Sequence, residues 1–148
     1  MEPKIISKPA FTVVGVKYHG KNEKDEIPQM WQAFGPRVCE IKHVAAPHVA
    51  YGVCDSPDES GEFDYVAGFE VSSTADIPQG MVSWEVPENT YAVFTCTLPT
   101  LHETFQHIET WLPQSDYQRA PGPEFELYDE NFDPEDPSSE MYFYVPVK

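Results

Sequence analysis

Short runs of apolar and β-branched residues, broken by Pro, Gly and acidic segments, set the pattern of this chain. Residues 11–18 (FTVVGVKY) read as a strand that stops at His19-Gly20-Lys21-Asn22. Ile27, Met30, Trp31, Phe34 and Val38 then recur at helical spacing, with Asp25 as N-cap and Pro28 near the first turn. Gly35-Pro36 should bend or break that helix before Ile41. Strands are expected over 48–54 and 63–71, joined by an acidic turn at 55–61.

The second half repeats this order. Residues 82–86 and 91–97 read as a strand pair around the Pro87-Glu88-Asn89 turn. Thr100-Leu101-His102-Glu103 fits a capping box, and Leu101, Phe105, Ile108 and Leu112 form the apolar stripe of the helix it opens, which Pro113 ends. Residues 124–129 (EFELYD) and 140–147 (EMYFYVPV) are the last two strands, with an acidic loop between them. The expectation is one α+β domain over 1–148, a pseudo-twofold duplication of β-α-β-β with repeats at about 1–75 and 76–148. Its antiparallel sheet should carry two main helices on one side.

Side-chain alternation assigns faces. In the last two strands Phe125, Leu127, Phe143 and Val145 are expected under the helices. The opposite face then collects Tyr128, Tyr142 and Tyr144 with Glu124, Glu126 and Glu140. Tyr65 and Phe69 share a face of an earlier strand, as do Tyr51 and Val53 of another, and would extend an aromatic wall. An aromatic surface with a carboxylate suits flat cations. Alternation alone leaves a wet sheet face as the other reading. Trp111 has either a packing or a pocket role, and Trp31 reads as core.

Fifteen prolines and eight glycines favour many short elements. Nine Lys and Arg stand against 25 Asp and Glu, a net charge of -16. Such a surface repels phosphate backbones and anionic lipid, so direct nucleic-acid or membrane binding is not expected. No apolar run is long enough to span a bilayer, and the start of the chain is no signal peptide, which points to the cytoplasm. Cys39, Cys54 and Cys96 form no CxxC and sit in apolar stretches, as small buried thiols do. His102 and His107 lie five apart, so neither a metal site nor a cofactor is expected.

Residues 61–147 resemble the GyrI-like effector-binding domain. The matching stretches are Asp64-Tyr65-Val66-Ala67-Gly68-Phe69-Glu70-Val71, Ile77-Pro78-Gln79-Gly80-Met81 and Tyr91-Ala92-Val93-Phe94. The most specific is Trp111-Leu112-Pro113-Gln114-Ser115-Asp116-Tyr117, similar to the family's W-L-P-x-S-x-Y, followed by Gly122-Pro123-Glu124-Phe125-Glu126-Leu127-Tyr128. The first half is compatible.

The resemblance implies a duplicated, SHS2-like β-α-β-β fold whose copies flank a cleft lined by aromatics and closed by a buried glutamate. By position that glutamate is Glu126, with Glu140, Tyr142, Tyr65 and Tyr51 nearby, and Trp111 and Phe69 complete the expected ligand set. The family's regulators carry a helix-turn-helix ahead of this domain. Here the first strand is expected within about ten residues of the start, so the chain resembles stand-alone members. These include drug-binding proteins, gyrase-modulating proteins and hydrolases of cyclopropane-bearing genotoxins. The expected function is binding of planar, apolar, often cationic small molecules. The alternatives are a hydrolase using Glu126 as general acid or base, and an acidic surface that engages a basic protein partner.

Overall fold

The computed structural model describes residues 2–148. In chain order it forms β1 (Lys4–Lys8), β2 (Phe11–Gly20), α1 (Glu26–Phe34), a 3-10 segment (Gly35–Glu40), β3 (Ala50–Cys54) and β4 (Phe63–Val71). Then come β5 (Val82–Val86), β6 (Asn89–Thr97), α2 (Leu101–Gln114), β7 (Glu124–Tyr128) and β8 (Glu140–Val147). The strands make one antiparallel sheet in the order β1-β6-β8-β7-β3-β4-β2-β5. Exchanging β1 to β4 for β5 to β8 leaves that order unchanged.

Two short links dictate the sheet's shape. Only Pro9 and Ala10 join β1 to β2, yet β1 lies at one end of the sheet and β2 next to the other. In a flat sheet six strand spacings would separate them by about 29 Å, whereas three Cα steps reach at most about 11 Å. Pro87 and Glu88 place the same demand on β5 and β6. The sheet therefore curls until its ends approach each other. Residues 82–86 and 91–97 are accordingly not a pair: β5 pairs with β2 through Phe11–Val86, and β6 pairs with β1 through Lys8–Asn89.

The curl encloses a core made by strands without either helix. Val13, Val53, Val86, Tyr91 and Phe125 are fully buried there, and Tyr51, Leu127, Tyr142 and Tyr144 pack with them. Phe125 stacks on Tyr144 at 4.5 Å, and Lys8 Nζ sits 4.5 Å from the Phe11 ring centroid beside the seam. The outer face carries the helices. One outer cluster holds Phe94, Ile108, Met141, Phe143 and Val145 under α2, and the other holds Val14, Phe34, Tyr65 and Ala67 under α1.

The helix ends differ from the sequence reading. Asp25 has φ 55° and makes no side-chain cap; Asn22 Oδ1 instead accepts from the Ile27 N–H. No capping box forms at Thr100, whose hydroxyl accepts from the Thr97 N–H. Pro113 lies inside the last turn of α2, where its missing N–H still allows one further residue before Ser115 caps the helix. Gly35-Pro36 does end α1, converting the chain to the 3-10 segment.

Tyr91 exposes the cost of this inner core. Its hydroxyl is buried with no hydrogen-bond partner among the described residues, and burial pushes its pKa up to about 12. Deleting an unpartnered buried hydroxyl removes a desolvation penalty. Tyr91→Phe is expected to raise stability by about 1 kcal/mol, read from the urea midpoint at unchanged m-value. A loss of similar size would show that the hydroxyl has a partner.

Candidate functional site: a carboxylate between the helices

α1 and α2 lie on the same outer face but leave the middle of the sheet uncovered between them. There a cavity of about 990 Å³ opens, within the upper range of small-molecule sites. Ile27, Pro28 and Trp31 of α1 form one wall, and Leu101, Phe105 and Ile108 of α2 form the other. Phe132 and Pro134, from the acidic loop before β8, close in from the side. The exposed side chains of Leu98 and Phe105 belong to this lining.

Glu126 lies on the floor, 9% exposed. Tyr65 of β4 and Tyr128 of β7 both donate their hydroxyl protons to its Oε1, at 2.7 and 2.8 Å. The Trp31 Nε1–H donates in turn to the Tyr65 hydroxyl at 2.9 Å, which fixes that ring under α1. Among the described residues no hydrogen bond reaches Glu126 Oε2. Burial raises the pKa of Glu126, and the two tyrosine hydroxyls oppose that rise by stabilising the anion.

Gly52 makes this network possible. It stands on β3 between Ala67 of β4 and Glu126 of β7, so Tyr65 must pass over it to reach the carboxylate. A Cβ at Gly52 would lie 2.1 Å from the Tyr65 hydroxyl and 2.6 Å from Glu126 Oε1. The interior glycine of a strand marks the close approach of other groups.

Charge at the rim is acidic with one cation. Asp55, Glu109 and Glu124 line the cavity beside Arg119. Arg119 pairs with Glu109 at 2.7 Å and also with Glu124, linking α2 to β7. Cys54 lines the floor, and burial first, then the Glu126 charge, pushes its thiol up, which disfavours the thiolate. Cys39 is exposed rather than buried, in a 3-10 segment that buries none of its residues, while Cys96 is buried.

The expected ligand set divides. Glu126 and Tyr65 meet in the cavity. Tyr51 and Tyr142 do not; both belong to the inner core on the other face of the sheet. The register explains this, since Glu126 is opposite Phe143 and Leu127 is opposite Tyr142. Glu140 is exposed at the start of β8 and lies outside the cavity lining. Phe69 packs on Phe34 at 6.2 Å beneath α1. Trp111 packs between Phe94 and Tyr117, at 5.5 and 6.2 Å.

The W-L-P-x-S-x-Y segment therefore shapes the end of α2: Ser115 Oγ donates to the Leu112 carbonyl and accepts from the Tyr117 N–H. Trp31, Tyr128 and Gly52 supply what the expected set lacked. Trp31 shares an i, i+4 stripe with Ile27, apart from the Met30 and Phe34 stripe, and a glycine inside an apolar strand run was the other available signal.

The raised pKa of Glu126 has a stability consequence. The folded state holds the proton more tightly than the unfolded chain, so this contribution is present at low pH and is lost as pH rises through the folded pKa. Glu126→Gln keeps an acceptor for both tyrosines without the buried charge. Its Tm is expected to exceed the wild type's at pH 8, with the gap closing toward pH 4. A gap that is constant with pH, or reversed, contradicts the assignment.

The comparisons with known proteins bear on the fold and the family. The family model described as Cass2, integron-associated effector binding protein, matches residues 4–147. The chain is 42% identical over 151 residues to the transcriptional regulator BrlR of Pseudomonas aeruginosa, covering 99% of this chain and 56% of that protein. The structure of SAV2435 bound to tetraphenylphosphonium superposes with a TM-score of 0.79 at 20% identity, covering 100% of this chain and 94% of that one. An EcmrR–DNA complex gives a TM-score of 0.70 at 13% identity, covering 99% of this chain and 57% of that one. One relative is thus a transcriptional regulator and the fold occurs in a DNA-bound complex, so the acidic charge of the chain does not by itself separate it from nucleic acid. No helix among the described residues is long and apolar enough to cross a membrane. The chain belongs to the Cass2 family of integron-associated effector-binding proteins and is an effector-binding domain with a GyrI-like fold.

Proposed function

We propose that the cavity between α1 and α2 binds bulky, aromatic, cationic small molecules of diverse shape. The observation that carries this reading is a buried carboxylate in apolar surroundings: Glu126, with Oε1 held by two hydroxyls and Oε2 left for whatever enters. Aromatic walls reward any flat or multi-ring ligand, so selection by shape is loose, and the carboxylate sets the charge. The acidic rim acts in the same direction, because Arg119 is already engaged by Glu109 and Glu124. The tetraphenylphosphonium held by SAV2435 is a ligand of this class, on a protein of the same fold.

Tetraphenylphosphonium and tetraphenylborate have nearly the same shape and opposite charge. Calorimetric titration of both into the chain at neutral pH is expected to show the phosphonium bound at least about tenfold more tightly, with about 1–3 kcal/mol of that preference removed by Glu126→Gln. Equal affinity for the two ions would refute the reading. Water-consuming turnover of a strained electrophile, with Glu126 Oε2 as the proton-handling atom, would move the assignment to a hydrolase.

A further inference from the structure

The hydrogen-bond inventory at Glu126 fixes more than its position. A tyrosine hydroxyl has one proton to donate. Tyr65 receives the Trp31 N–H on its oxygen and gives its own proton to Glu126 Oε1; Tyr128 gives its proton to the same atom. Both acceptor directions of Oε1 are thereby occupied. A proton that binds Glu126 has to reside on Oε2, where no described residue competes for it. Ionised, Oε2 is an anion facing an apolar cavity. Protonated, it is a hydrogen-bond donor at the same point, and the Tyr65 and Tyr128 contacts to Oε1 need no rearrangement.

From this geometry we infer that the site has two ligand classes selected by one proton: cations bind the ionised Glu126, and neutral aromatic molecules with a strong hydrogen-bond acceptor bind the protonated one through Oε2–H. This rests on the cavity being a ligand site, as proposed above. It adds the second class and the rule that chooses between them.

The groups around Glu126 leave it as the switching element. Cys54 of β3, Tyr65 of β4, Cys96 of β6 and Tyr128 of β7 all have pKa values pushed upward by burial, Cys96 to about 11, so each keeps its proton near neutral pH. At the rim, Glu109 of α2 and Glu124 of β7 are both paired with Arg119. Asp55, after β3, accepts the Asp64 N–H, while Trp31 and Gln32 bring no charge from α1. The lining holds no histidine among the described residues. Burial raises the pKa of Glu126 itself, against the pull of the two tyrosine hydroxyls.

Two probes without titratable groups separate the classes: tetraphenylphosphonium, a permanent cation, and triphenylphosphine oxide, a neutral acceptor. Affinities of the full chain for each are measured by calorimetry from pH 5 to 9, in buffers of different ionisation enthalpy so that proton exchange is counted. Phosphonium affinity should fall by up to about tenfold per pH unit below the Glu126 pKa, and its binding should release protons. Phosphine oxide affinity should fall as pH rises above that pKa, by up to the same factor, and its binding should take up protons.

Glu126→Gln provides the matching variant. Its amide oxygen can replace Oε1 as acceptor for the two tyrosines, leaving the amide N–H as a permanent donor to the cavity. It should bind the phosphine oxide independently of pH and bind the phosphonium poorly. If both probes bind the wild type with pH dependence of the same sign, or without proton exchange, the two-class inference is wrong, and the cation reading stands only where phosphonium binding strengthens as pH rises. If phosphonium binds and phosphine oxide does not at any pH, the inference is also wrong. If neither binds at any pH, both readings fall.

Discussion

Placing a carboxylate among apolar side chains is costly, and the outer face of this sheet is arranged around that cost. Glu126 is tolerated because two tyrosine hydroxyls converge on one of its oxygens, from β4 on one side and from β7 itself on the other. The first of these contacts crosses a whole strand, which is feasible only over a residue without a side chain, Gly52. Trp31 then ties Tyr65 to α1, so a helix, two further strands and a glycine share one hydrogen-bonded unit. The unit holds one carboxylate oxygen and leaves the other for the cavity. Binding chemistry follows from that asymmetry.

The curl of the sheet explains why the site lies where it does. Two-residue links carry β1 to β2 and β5 to β6 across what would be nearly the full width of a flat sheet. Bending brings the ends together and buries the concave face against itself, so Phe11, Tyr51, Phe125 and Tyr144 pack in one core. The helices are left to the convex face. Residues of both helices wall a cavity over its centre, at β3 and β7.

Much of the architecture was legible in the sequence because periodicity changes are sharp. The 3.6-residue stripes of α1 and α2 and most strand cores are where the apolar pattern puts them, and Glu126 lines the cavity between the helices. The face of β8 was legible, since Phe143 and Val145 do lie under α2 with Tyr142 and Tyr144 opposite, but that of β7 was not. Alternation identifies a face only when one side is wet, and here both sides are covered, one by the curl and the other by helices. Phe125 and Leu127 are thus expected under the helices beside Phe143, whereas the register sets Phe143 opposite Glu126 and turns Phe125 and Leu127 into the inner core. β1 was missed for a related reason: its exposed KIISK sequence lacks an apolar face of its own and is held by pairing to β6. Trp31 read as core because an indole on an amphipathic stripe usually is; its N–H partner, Tyr65, is 34 residues away and beyond any local pattern.

The account depends on Glu126 being a buried carboxyl with a raised pKa, held through one oxygen. A direct check is the pH titration of its side-chain carboxyl carbon by ¹³C NMR, with selectively labelled glutamate and the signal assigned by its loss in Glu126→Gln. The expected result is one resonance titrating above the ordinary glutamate value of 4.5, separate from the exposed glutamates. A Glu126 signal that titrates with the exposed group at or below that value would show a solvated carboxylate, and the proposed site chemistry would fail with it.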